Sequence, residues 1–78
     1  MNIKRRGDIG SIVCTLNRCI STLENIHSDE EDYHDNIPEN LENSERAEES
    51  EEALESLDSA INEISIGVEY LEDIAGGR

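Results

Sequence analysis

Carboxylates are the reactive groups this chain has in quantity: twenty Asp and Glu stand against six Lys and Arg in 78 residues, with two His and two Cys. Fifteen of the acids (Glu24, Asp29, Glu30, Glu31, Asp32, Asp35, Glu39, Glu42, Glu45, Glu48, Glu49, Glu51, Glu52, Glu55 and Asp58) fall in residues 24–58, where Arg46 is the one base. This segment therefore holds the whole net charge of −14. Such a cluster can act as a polyanion or attract cations. His27 and His34, seven apart and flanked by the acids of residues 29–35, would be the nitrogen ligands of a weak divalent-cation site. However, no H-E-x-x-H, EF-hand loop or closed zinc spacing accompanies them. The simpler reading is two exposed histidines in an acidic field, and no metal or other cofactor is expected. Cys14 and Cys19 are five apart, about 140° around a helix, so they cannot pair within it and read as reduced thiols. There is no Ser-His-Asp or Cys-His order, and Gly7 and Gly10 beside Lys4, Arg5 and Arg6 are too few for a phosphate-cradling loop. The chain is not expected to be an enzyme.

The elements that position these groups must be helical. A chain of 8.7 kDa is at most one small domain, spanning residues 1–78, and with 35% apolar residues and two Tyr as its only aromatics it lacks the material for a β or α/β core. Apolar residues recur at threes and fours from Asp8 onward. Ile9, Ile12, Leu16, Cys19, Leu23, Ile26 and Tyr33 fall on a and d of one heptad frame, with Val13 and Ile20 on the e side. This predicts a first helix over about 8–36. A second frame holds Ala47, Leu54, Leu57, Ile61, Ile64, Val68, Leu71 and Ala75 at a and d, broken only by Ser50, with Ala53, Ala60, Gly67 and Ile74 at g. It predicts a second helix over about 44–75. In the linker, residues 37–43, Pro38 disfavours helical geometry at Ile37, Asn43 or Ser44 can cap the next helix, and Gly76 and Gly77 end it. The basic cluster Lys4, Arg5 and Arg6 is expected to loosen the N-terminus or to lie near the end of the second helix.

So short a connection makes the helices antiparallel neighbours: an all-α helical hairpin, or two-helix coiled coil. A lone hairpin buries little, so dimerisation into a four-helix arrangement is expected. Ile66, Tyr70 and Ile74, an i, i+4, i+8 stripe near the open end, are the candidate dimer interface. The two copies would join at this neutral base with the charged tips apart. In the same frame Cys14 is exposed and reactive, and Cys19 is shielded.

The acids occupy the closed end, where one net charge falls per ~1.8 Å at about 1.5 Å of rise per residue; duplex DNA carries one per ~1.7 Å. The helix dipole favours acids in the first turns of the second helix. It disfavours those of residues 29–35, and the pairs Glu45/Glu49, Glu48/Glu52 and Glu51/Glu55 each cost about 0.2–0.5 kcal/mol. A segment retaining that repulsion suggests that the field itself is used. A net charge of −14 disfavours nucleic acid and anionic membranes as direct partners and favours basic proteins.

The linker Asp35-Asn36-Ile37-Pro38-Glu39-Asn40-Leu41-Glu42-Asn43-Ser44-Glu45-Arg46 resembles that of small acidic two-helix proteins of phages and Gram-positive mobile elements, which share D-N-x-P-E-N-L-x-x-S-E-R and have no assigned activity. The resemblance covers about half the chain and implies a phage or mobile-element origin. By analogy with small acidic phage proteins, the expected function is an anti-defence inhibitor whose acidic tip mimics nucleic acid on a basic groove of a host protein, such as a CRISPR effector or nuclease. Its contacts would be Asp29, Glu30, Glu31, Asp32, Asp35, Glu45, Glu48, Glu49 and Glu52, with Arg46 orienting neighbouring carboxylates. One alternative is a structural or assembly coiled-coil module whose charge serves solubility. Another is a sequestering protein for a nucleotide signal, using Lys4, Arg5, Arg6 and Arg18. No apolar run is long enough to span a membrane and no signal-peptide pattern follows Met1, so the expected location is cytoplasmic, that of the host cell if phage-encoded.

Overall fold

The computed structural model describes residues 1–38, 40 and 44–77. Helix α1 (Ile3–Asp35) and helix α2 (Glu45–Ala75) pack antiparallel into a hairpin 59 Å long and 15 by 13 Å across its Cα atoms. The hairpin expected from the heptads is the fold observed.

Local chemistry sets the helix ends. Helix α1 starts five residues earlier than the apolar pattern predicts, because the extended Asn2 accepts a hydrogen bond from the Arg5 N–H at 2.8 Å and caps the first turn. The N-terminus is thus helical rather than loosened, and α1 continues through Gly7 and Gly10 despite a propensity cost of about 1 kcal/mol each. Lys4 and Asp8, one turn apart, pair at 2.9 Å. At the other end Asn36 donates from its side chain to the Asp32 carbonyl at 2.7 Å, and Pro38 follows. Ser44 caps α2, accepting from the Ala47 N–H at 3.3 Å, and Glu45 and Glu48 lie in the favourable first turn. The alternative cap Asn43 and the linker residues Glu39, Leu41 and Glu42 lie outside the described residues. Gly76 closes α2, and Gly77, at φ 81°, takes the left-handed conformation that suits glycine. The Arg6 guanidinium lies beside Gly77, so the basic cluster does approach the end of α2.

The helices meet along one seam. On α2 it follows the expected frame, with Ala47, Ser50 and Val68 buried and Leu54, Leu57, Ile61, Ile64, Leu71 and Ala75 half-buried. On α1 the expected frame needs correction. Ile9, Leu16 and Leu23 do face α2, but the alternate seam positions are Val13, Ile20, His27 and His34. Each lies one residue after Ile12, Cys19, Ile26 and Tyr33, which are exposed; Ile12, Ile26 and Tyr33 keep 52%, 47% and 46% of their surface. Both choices supply two apolar residues at the base and differ at the acidic end. Burying Ile26 and Tyr33 would leave the facing helices lined with carboxylates, whereas His27 and His34 bring N–H donors into that seam. Electrostatics at the acidic end thus outweighs apolar count. The resulting core is thin: no described side chain is completely buried.

Candidate functional site

From Leu23 towards the linker the seam changes character. The His27 ring bridges the helices, with Nε2 3.0 Å from Asp58 Oδ1 on α2 and Nδ1 3.2 Å from Glu31 Oε1 on its own helix. One turn on, Ser50 Oγ donates to Glu30 Oε2 at 2.7 Å, with Ser50 only 4% exposed. His34 then repeats the first arrangement, Nε2 3.4 Å from Glu51 Oε1 and Nδ1 3.8 Å from Asp35 Oδ1. A carboxylate can only accept, so the Ser50 hydroxyl donates across the seam, and each imidazole lies within ion-pair distance of a carboxylate on either helix. The histidines are not the exposed pair expected from sequence: their side chains keep 18% and 29% of their surface and are structural ties across the seam. Among the described residues no group of three or more His, Cys, Asp and Glu could hold a metal ion.

This register gives the hairpin two unlike faces. One face carries Glu24 and Glu31 of α1 with Glu51 and Asp58 of α2, the positions beside the histidines, and next to them Asp35, Glu48 and Glu55. The opposite face carries the row Ile12, Cys19, Ile26 and Tyr33 beside Arg46, Ala53, Ala60, Gly67 and Ile74. At the acidic end of this face Tyr33, Arg46 and Ala53 share a shallow groove with Glu30, Glu49 and Ser50.

The carboxylates expected to form one contact surface are accordingly divided. Glu31, Asp35 and Glu48 lie on the acidic face; Asp32, Glu45 and Glu52 lie on the outer edges; Asp29 and Glu49 flank the apolar face, where Arg46 is exposed. Glu30 needs correction as a contact residue, because it is half-buried and accepts from Ser50. Sequence reasoning left Glu24, Glu51, Glu55 and Asp58 out of the site. A signal was present: Glu24/Glu31 and Glu51/Asp58 repeat the seven-residue spacing of His27/His34. Of the expected dimer stripe, Ile66 and Tyr70 are exposed on the outside of α2, Tyr70 at 70%, and Ile74 is half-buried. Cys19 is exposed like Cys14, which overturns its expected shielding. Among the described residues no helix is long and apolar enough to cross a membrane.

No family model matches this chain, and no curated protein or solved structure matches it either.

Proposed function

We propose that this protein is a non-enzymatic inhibitor whose acidic end occupies a basic groove built for nucleic acid, with a phage or mobile-element anti-defence role and a host nuclease or CRISPR effector as the kind of target. One observation carries the reading: twelve of the thirteen described carboxylates in residues 24–58 are exposed, crowded into one end of the rod and held there by a polar seam. Charge needed only for solubility has no reason to concentrate at one end. There the like-charge pairs Glu45/Glu49, Glu48/Glu52 and Glu51/Glu55 oppose the helix that carries them. A rigid helical scaffold suits the role, since a preorganised polyanion loses little conformational entropy on docking. The linker's resemblance to small acidic phage and mobile-element proteins points the same way.

The test neutralises Glu45, Glu48, Glu49 and Glu52 to Gln. All four are exposed and clear of the seam, so helicity should persist. The wild-type chain should capture a basic protein from host lysate and release it as salt rises or when duplex DNA is added as competitor. The helical quadruple variant should lose that capture. Capture that survives both the variant and excess duplex DNA would overturn the reading and favour an assembly module.

A further inference from the structure

We infer that the apolar face opposite the histidines is a self-association surface, on which a second copy of this chain lies end for end along the full length of the rod. The face consists of Ile12, Cys19 and Ile26 on α1 and Ala53, Ala60 and Gly67 on α2, and all six residues are exposed except the half-buried Ala60. Tyr33 and Ala53 lie together at its acidic end, and the same register two heptads along sets Cys19 level with Gly67. Nothing in the hairpin requires glycine at position 67: an added Cβ would meet no atom within 4 Å. Glycine there costs about 1 kcal/mol of helix propensity relative to alanine, and a second helix passing close to α2 explains it.

Two arguments select another copy as the occupant, and the end-for-end orientation as its pose. The first is area. One side of the hairpin has a footprint of roughly 900 Å2 from its 59 by 15 Å Cα extents, and the row Ile12–Tyr33 runs along about 32 Å of it, so the ~800 Å2 per partner of a stable interface is reached only if the whole length is used. Pairing at the base alone, through Ile66, Tyr70 and Ile74, covers about half of that. The second is charge. Two copies side by side in the same direction would stack both acidic ends, whereas reversing one lays its neutral end, with Lys4 and Arg5, over the acidic end of the other. In that pose α1 runs along α1 of the second copy. Arg5 then lies near Tyr33 of the other copy, between its Asp29 and Asp32, and Ile12 lies near its Ile26. Both acidic faces remain outward.

In the proposed pose the two α1 helices are centred on each other at Cys19, the middle residue of α1, so the two-fold axis passes close to it. The thiols of the two copies are then within reach of a disulfide, which needs Cα atoms no more than about 7 Å apart. A base-only dimer would hold them roughly 25 Å apart, and a same-direction dimer would set them diagonally, beyond reach. Cys14 points to the other side and does not take part.

The experiment needs no binding partner, so its outcome is independent of the polyanion reading. The native chain is measured by light scattering at about 50 µM and then oxidised with copper phenanthroline. The expected result is twice the 8.7 kDa chain mass and a disulfide-linked dimer that persists in Cys14→Ser and is lost in Cys19→Ser. Ile26→Glu, at an exposed position, should keep the helix content and weaken dimerisation at least about tenfold, because it buries an unpaired charge. A monomer at that concentration, a dimer that Cys19 does not cross-link, or undiminished dimerisation of a helical Ile26→Glu would each overturn the inference. Should Ile26→Glu lose its helices, the oxidation of the native chain decides alone.

Discussion

The Nε2 atom of His27 lies 3.0 Å from Oδ1 of Asp58, and this pair joins two helices whose facing ends are almost uniformly anionic. Its neighbour Glu31 sits 3.2 Å from the other ring nitrogen, so one imidazole addresses a carboxylate on each helix. The ring is mostly covered and the carboxylates are largely exposed, which places the pair between a core contact and a surface ion pair.

His27→Ala should therefore destabilise the hairpin by about 1–1.5 kcal/mol, combining lost packing with a lost cross-helix polar contact. A double-mutant cycle with Asp58→Asn isolates the contact itself. Because Asp58 is largely solvated, the expected coupling is only about 0.5 kcal/mol and should shrink as salt is added. Zero coupling at low salt would show that the histidine acts by packing alone.

Ser50 makes a sharper case, since it is buried and its hydroxyl donates to Glu30 at 2.7 Å. Ser50→Ala removes the donor and leaves a half-buried carboxylate without it, at an expected cost of about 1–3 kcal/mol. Converting both positions, Ser50→Ala with Glu30→Leu, should recover the loss or exceed it, because an apolar pair needs no donor. Denaturant unfolding of the native chain and the two variants measures this. A double variant no more stable than the single one would contradict the polar-seam account.

Gly67→Ala tests the helix without disturbing the seam. The added methyl meets no atom within 4 Å in the hairpin, so the substitution should stabilise α2 by about 1 kcal/mol. That gain should be measured under conditions where the chain is monomeric, by helix-detected thermal unfolding.

Thiol labelling reads the register of α1 directly. With Cys14 and Cys19 both exposed, a dilute monomer should label both at comparable rates. As concentration rises, Cys19 alone should slow, because the proposed dimer covers its face. Shielding of Cys19 at every concentration would restore the frame in which it faces α2.

The resolved end of α2 and the mismatched start of α1 show where legibility in the sequence stopped. Ser44, the paired glycines after Ala75 and the heptad from Ala47 to Ala75 are local signals, and α2 follows them to within one residue. Asn2 was an equally local cap, but the apolar pattern that would have drawn attention to it begins only at Ile9. The candidate site was legible as a stretch of acids and not as a surface, since Glu30, Glu31 and Asp32 are consecutive in sequence yet point into the seam, to the acidic face and to the outer edge.

Composition, heptad spacing and a short proline-containing linker were enough to determine two antiparallel helices with all the net charge at one end, because periodicity and charge are carried by each segment on its own. Which row of α1 faces α2 was decided only by tertiary structure. The choice between Ile26 with Tyr33 and His27 with His34 depends on what lies opposite, and there the two rings meet Asp58 and Glu51. A one-residue shift in that choice turns a helix by about 100°, and with it Ile12, Cys19 and Ile26 move from the core to the surface.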